Sequence, residues 1–275
     1  MKRVLAILLC LALMAGIISA EAAGLDVVKR SHDTVMNFLN SHPTTISGDI
    51  YDVAPGLKAP YSLGKLKDEV VHRALNALNS LRFVAGLRAD VTISEEYTEK
   101  AQAAAVVNAV NGSMSHYPTQ PAGMSVDMYE LGYDGASHSN IAYGYGDLST
   151  AMFKGWIHDG DSRNIDRVGH RRWVLNPRMR QTGFGMAGTQ MAMYALDGEW
   201  NMEGVPMYVA WPAQMMPIQW MSSDLPWSVS SREPIRDSAT VIITRRGTGR
   251  AGPSRRAAGK DTSTSAAADT ARDSA

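Results

Sequence analysis

The order of two hydrophobic periods along the chain most constrains its fold. Apolar residues recur at spacings of three and four from Lys65 to Gly86, the period of an amphipathic helix. A second helical stretch, "YTEKAQAAAVVNAV", stops at Asn111 and Gly112, and residues 148–157 can form a third. The period then changes, because "TGFGMAG", "TQMAMYALD" and "VPMYVAWP" alternate or cluster apolar residues between Gly, Asp and Pro, as strands do. Helices followed by strands predict a layered α/β sandwich.

Local signals predict where two of the helices begin. Thr92 and Glu95 have the spacing of a capping box, which predicts the start of the second helix at this point. Between Leu25 and Leu39 the apolar residues also follow a helical period, so residues 23–62 are predicted to form an N-terminal helical extension.

The first 22 residues are typical of a secretory signal peptide. Lys2 and Arg3 precede an apolar run and an Ala20-x-Ala22 pattern, and the run is short for a membrane span. An uncleaved anchor is the alternative. The single cysteine, Cys10, lies in this segment, so the mature chain has no disulfide, which fits bacterial export. We therefore predict an extracellular or envelope-associated protein, with no membrane span after signal cleavage.

Composition separates the body of the chain from its C-terminal tail. Residues 23–244 hold 23 acidic and 18 basic residues, a balance that disfavours nucleic-acid binding. Residues 245–275 contain no aromatic or large aliphatic side chain and are predicted to be a disordered basic tail. Residues 214–244 are interpreted as the start of a β-rich region that a reading-frame change cuts short. A flexible basic linker or a wall-binding tail is the alternative.

Six motifs, in order, carry a family resemblance. "ALNSLRFVAGL", the Ala-rich helix ending in "MSHYP", "SNIAYG", "AMFKGWIHD", "GHRRWVLNP" and "TGFG" resemble the CAP (SCP-like) superfamily of cysteine-rich secretory, antigen and pathogenesis-related proteins. The resemblance spans residues 63–213 and is nearest to a cysteine-free bacterial branch. It implies a three-layer α-β-α sandwich with a central, largely antiparallel sheet and a cleft.

The resemblance also implies a site in that cleft. In the family two histidines and two acidic residues line the cleft and can hold a divalent metal. The histidines fall on His116 and His170, and the acidic positions fall on Ser139 and Asp159. Ser139 has no charge and Asp159 is shorter than the usual Glu, so we expect weakened binding of zinc or a similar ion, with Asp159 a weak ligand. The alternative is that both histidines are buried, hydrogen-bonded scaffold residues.

Residues near the histidines have supporting roles in this interpretation. Asn140, Asn164 and Asp166 are predicted to orient the site through hydrogen bonds, with simple turn chemistry as the alternative. Arg171 and Arg172 are expected to be solvated or ion-paired at the surface. No residue is assigned as catalytic.

The sequence favours one function and leaves two others open. The leading hypothesis is a binding module for a small apolar ligand, a lipid or a cell-envelope component at the histidine cleft. The 16 Met residues motivate the apolar part, because Met suits adaptable binding surfaces. One alternative is a metal-dependent hydrolase of peptide, ester or glycan bonds. Another is a structural envelope protein with a vestigial cleft. A triad of Ser139, histidine and Asp159 has little support, because the chain has no G-x-S-x-G motif.

Overall fold

The computed structural model describes residues 25–197, 203–222 and 224–235, together with the backbone of residues 240–242 and 256–258. The predicted signal peptide lies outside these residues. Within them, no helix combines the length and the apolar character needed to cross a membrane.

The helices follow the predicted order. They are α1 (His32–Ser41), α2 (Asp68–Val84), α3 (Glu95–Asn111), α4 (Val126–Ser137), α5 (Leu148–Thr150), a π-helix (Ala151–Trp156), α6 (Gly169–Val174) and a 3-10 helix (Ile218–Trp220). Helix α3 ends at Gly112, whose φ of 65° is the left-handed conformation typical of a helix stop.

Two predicted helix starts are wrong. Helix α3 is capped by Ser94, whose hydroxyl accepts from the N–H of Tyr97, whereas Thr92 lies in a strand. Thr92 cannot cap the helix because its backbone pairs with Gln181 three residues before the helix begins at Glu95. Helix α1 begins at His32, after the N-cap Ser31, and not near Leu25.

The strands form one central sheet and several short pairs. The central sheet is antiparallel and contains β4 (Ser139–Tyr143), β6 (Phe184–Ala187) and β7 (Gln190–Tyr194), with β7 in the middle. The antiparallel pairs are β1 (Tyr51–Val53) with β2 (Lys65–Leu66), β8 (Tyr208–Trp211) with β9 (Ser228–Ser231), and β10 (Thr240–Ile242) with β11 (Arg256–Ala258). The parallel pair is β3 (Thr92–Ile93) with β5 (Gln181–Thr182). Strand β11 falls in the stretch predicted as a disordered tail, and the rest of that stretch lies outside the described residues.

Side-chain size decides which helices cover each face of the central sheet. On one face Gly185 and Ala192 allow α3 to approach closely, and α4 packs beside α3. On the other face Phe184, Met191 and Met193 enter the main core with residues of α2, the π-helix and α6. Successive residues of a strand point to opposite faces, so one strand supplies both surfaces. The protein is therefore an α-β-α sandwich around an antiparallel sheet, as predicted.

Two buried arginines fix the segment that carries His170. Arg82 of α2 donates to the carbonyls of Val174, Asn176 and Met179, just after α6. Arg171 donates to the carbonyls of Ile157 and His158, and is 1% exposed. The expectation of a solvated Arg171 is therefore wrong, because carbonyl oxygens replace water around its guanidinium. Burial lowers the pKa of each arginine to about 10.

Candidate functional site

His170 is paired with a fully buried carboxylate. Its Nδ1 lies 2.8 Å from Oδ1 of Asp159, whose side chain is 0% exposed. The other carboxylate oxygen, Oδ2, accepts from the backbone N–H of Arg171 at 3.1 Å. A carboxylate only accepts, so Nδ1 of His170 carries the hydrogen and the ring is held in one orientation. The lone pair of a neutral His170 is therefore on Nε2.

Asp159 reaches His170 because the backbone turns sharply at the end of the π-helix. The N–H of Asp159 donates to the carbonyl of Gly155, and Asp159 has a φ of 48°, in the left-handed region. Val168, at the start of α6, has a φ of 46°. Left-handed conformations are uncommon for residues other than glycine, and they tend to occur where the surrounding structure holds them. The loop 160–168 is thus fixed at both ends next to His170.

His116 lies in the segment after α3 and contacts the end of α4. Its Nδ1 donates to the carbonyl of Ala136 at 2.8 Å, which leaves Nε2 without a hydrogen in the neutral ring. Protein atoms around the ring lower the pKa of His116 below its ordinary value of 6.5, and the charge of His170 acts in the same direction. His116 is therefore mostly neutral at pH 7. The residue as a whole is exposed, although protein atoms enclose part of its ring.

Strand β4 supplies the next two predicted residues. Asn140 is buried and its side-chain amide donates to the carbonyl of His170 at 2.9 Å, so it positions the backbone of the histidine. Ser139 is also buried, but its hydroxyl has no hydrogen-bond partner within the described part of the chain. The Ser–His hydrogen bond that a catalytic triad needs is therefore missing from the described structure.

The loop before α6 adds a residue that the sequence did not assign to the site. Asp161 forms a three-residue group with Asp159 and His170, in which one potential metal-binding atom of each lies within 4.8 Å of the others. Partial burial acts to raise the pKa of Asp161, but the Asn164 amide, the Arg163 N–H and the charge of His170 lower it below 3.8. Asp161 thus stays ionised. Its position in a loop gives no periodic signal that would have marked it in the sequence.

Of the two other predicted supporting residues, Asn164 contacts the site and Asp166 does not. The Asn164 amide donates to Asp161 at 3.2 Å and lies 3.4 Å from Nδ1 of His170, so it contacts both. Asp166 is exposed, and no hydrogen bond or ion pair of its side chain is present among the described residues. The structure brings Asn164 to the histidine and leaves Asp166 at the surface.

The comparisons with known proteins identify the domain that contains this site. Residues 75–195 match the model of the cysteine-rich secretory protein family, CAP. This part of the chain belongs to the CAP superfamily. The match lies within residues 63–213, and it includes His116, Ser139, Asp159 and His170.

One solved structure resembles the chain. It is the crystal structure of an extracellular protein containing an SCP domain from Bacillus anthracis str. Ames, with 18% sequence identity and a TM-score of 0.34. The similarity covers 48% of this chain and 44% of that chain, so the chain spans less than half the length of that protein. No curated protein sequence matches the chain.

Neither His116 nor His170 lines either of two grooves in the described part of the chain. One has a volume of about 390 Å³ and is lined by residues 129–138 of α4 and its C-terminal end. The other has a volume of about 230 Å³ and lies between α1 and residues 215–218. An apolar ligand that fills only one of these grooves would therefore not contact the imidazole of His116 or of His170.

Proposed function

We propose that this chain is an exported CAP-domain binding protein that holds its ligand at the Nε2 atoms of His116 and His170. One observation carries the proposal: each Nδ1 donates to a fixed oxygen, of Ala136 and Asp159 respectively, so both Nε2 atoms are free to accept. Two imidazoles held in fixed orientations form a site for a divalent cation or for a ligand that donates a hydrogen bond.

The donor set fits zinc or a similar divalent cation. Neutral imidazole nitrogens and carboxylate oxygens are ordinary zinc ligands, and Asp161 is an ionised carboxylate beside His170. Both carboxylate oxygens of Asp159 already accept hydrogen bonds, from His170 and from the backbone N–H of Arg171. Its main role is therefore to orient the ring of His170. A bound cation would supply positive charge for an anionic group of an envelope component.

Calorimetric titration of zinc into residues 23–275 tests the proposal. We expect one site, lost in both His116→Ala and His170→Ala. His72→Ala is the matched control, because His72 is exposed and its Nδ1 also donates to a backbone carbonyl, that of Asp68. Binding that survives both cleft variants, or that His72→Ala also removes, would refute a shared site at His116 and His170.

The groove between α1 and the 3-10 helix supports the apolar part of the proposal as a second binding site, which neither His116 nor His170 lines. Its lining is mostly apolar: His32, Val35, Met36, Met215, Met216, Pro217 and Ile218. Oleate should bind to the protein, and Met36→Lys should weaken that binding. Met114→Lys, at another exposed methionine, should not. Equal oleate binding by the two variants would remove the apolar component from the proposal.

A metal-dependent hydrolase is the second candidate function, and Asp161 favours it. An ionised carboxylate beside a possible metal ligand can accept a proton from water. Peptide, ester and glycan substrates should then turn over when zinc is supplied. Asp161→Asn should reduce turnover more than it reduces zinc affinity. No turnover on any of the three substrate classes would exclude this candidate.

A further inference from the structure

Helix α4 presents glycines to the neighbouring helix α3 and tyrosines to a surface groove. Its small residues Gly132 and Gly135 face α3, so close that a Cβ at Gly135 would lie 2.0 Å from the carbonyl oxygen of Lys100. Its aromatic residues, Tyr129 and Tyr133, are one turn apart and face the groove of about 390 Å³. Tyr133 is 38% exposed and Tyr129 is partly buried against the core, so both line the groove with part of their surface open to solvent.

Three tyrosines lie next to one another at this open groove. The ring centroids of Tyr117 and Tyr133 are 6.1 Å apart with an interplanar angle of 47°, and those of Tyr129 and Tyr133 are 6.0 Å apart at 59°. The negative faces of aromatic rings attract cations, and cages of this kind bind alkylated ammonium groups.

The charge of the groove has the complementary sign. Glu130 and Asp134 line it next to the tyrosines. The negative charge of Asp134 is balanced by Lys100, whose Nζ lies 2.9 Å from the Asp134 carboxylate. Glu130 is exposed and has no ion pair among the described residues, so its charge is available to a ligand. An organic cation would gain contact with both the rings and this carboxylate.

We propose that the groove lined by Tyr129, Glu130, Tyr133 and Asp134, which Tyr117 adjoins, binds a quaternary ammonium group. The group is a small cation of the choline type, either free or as a lipid headgroup. This site is separate from the histidine cleft, so the proposal does not depend on the metal or ligand bound there.

Calorimetry with choline and its neutral isostere 3,3-dimethyl-1-butanol, each titrated into residues 23–275, tests the proposal. Choline should bind at least roughly fivefold more tightly than the isostere, because only choline gains cation–π attraction. Equal affinity for the two, or no choline binding at millimolar concentration, would overturn the proposal.

Two variants and two matched controls locate the binding. Tyr133→Leu and Glu130→Gln should each weaken choline binding by roughly threefold or more. Tyr143→Leu and Asp127→Asn should leave it unchanged, because Tyr143 is exposed outside the groove and Asp127 is an exposed carboxylate of α4 that does not line it. Unchanged affinity in both groove variants would overturn the proposal.

Vesicles distinguish the two sources of the ligand. Sedimentation with phosphatidylcholine vesicles that free choline displaces would assign the site to a lipid headgroup. Choline binding without vesicle binding would assign it to the free cation. Vesicle binding that choline does not displace, and that survives Tyr133→Leu, would mean that this groove does not recognise the ammonium group.

Discussion

At the scale of single residues, the site depends on how Asp159 divides its two oxygens. One oxygen holds His170 and the other holds the backbone N–H of Arg171. The family resemblance assigned His116, His170 and Asp159 to one cleft. It did not predict that Asp159 would accept from both His170 and the Arg171 N–H. The pairing requires a left-handed backbone at Asp159, which no side-chain pattern predicts.

Replacing Asp159 with Asn should lower both the zinc affinity of the site and the free energy of unfolding. An amide has a single acceptor oxygen, so either His170 or the Arg171 N–H loses its partner, and the negative charge near the Arg171 guanidinium is lost. We expect zinc affinity to fall roughly 10- to 100-fold. The free energy of unfolding should fall by roughly 1–3 kcal/mol. Calorimetry and urea unfolding measure the two effects.

The matched control for that variant is Asp166→Asn, which makes the same change in the same loop. The exposed Asp166 should change unfolding by less than about 0.5 kcal/mol. Equal effects of the two substitutions would mean that the buried pair has no special role.

The lowered pKa of His116 predicts a pH dependence of the metal-free protein. The unfolded chain binds a proton near pH 6.5, whereas the folded protein resists it until lower pH, so the unfolded state holds more protons between these values. Stability is therefore fully present above about pH 6.5 and is lost as pH falls through the folded pKa. His158, whose pKa burial also lowers, acts in the same direction.

Proton NMR titration of the imidazole signals, with a chelator present, measures this directly. The signal absent from His116→Ala should titrate below pH 6.5, and His72→Ala serves to assign an exposed histidine. A His116 midpoint above 6.5 would contradict the packing described around its ring.

At the scale of elements, hydrophobic patterns in the sequence predicted the helices and strands that pack in the core. The helical period of α2 and the clustered apolar residues of β6 and β7, which are buried on both faces, were visible in the sequence. Arg82 was missed because one charge within an apolar stripe does not alter the period. The start of α3 was missed because both Thr92 and Ser94 can cap a helix, and strand pairing excludes Thr92.

The close contact between α3 and α4 predicts a large cost for one added methyl group. In Gly135→Ala the new Cβ would meet the Lys100 carbonyl at 2.0 Å, and backbone cannot move aside as a side chain can. We expect the free energy of unfolding to fall by roughly 1–3 kcal/mol. Gly146→Ala is the control, because a Cβ there meets nothing within 4 Å. Comparable urea midpoints for the two variants would contradict the close packing.

At the scale of the whole molecule, Arg171 connects the CAP domain to residues beyond it. Its Nη1 donates to the carbonyl of Pro226 at 2.6 Å and to the hydroxyl of Ser228 at 3.1 Å. Strand β9, which contains Ser228, also pairs with β8. The domain boundary predicted after Ala213 would cut both connections. Sequence periodicity is local, so it contains no signal for a buried arginine that reaches 57 residues along the chain.

A chain that ends at Ala213 should therefore be less stable than one that ends at Ile235. The shorter chain leaves β8 unpaired and removes two acceptors from a buried guanidinium, which should lower the free energy of unfolding by roughly 2–4 kcal/mol. Arg171→Met in both lengths completes a double-mutant cycle measured by urea unfolding. The substitution should cost more in the longer chain, because there the guanidinium has all its acceptors. Equal costs in the two lengths would mean that residues 214–235 pack on the CAP domain without using Arg171, and the boundary after Ala213 would then be a real one.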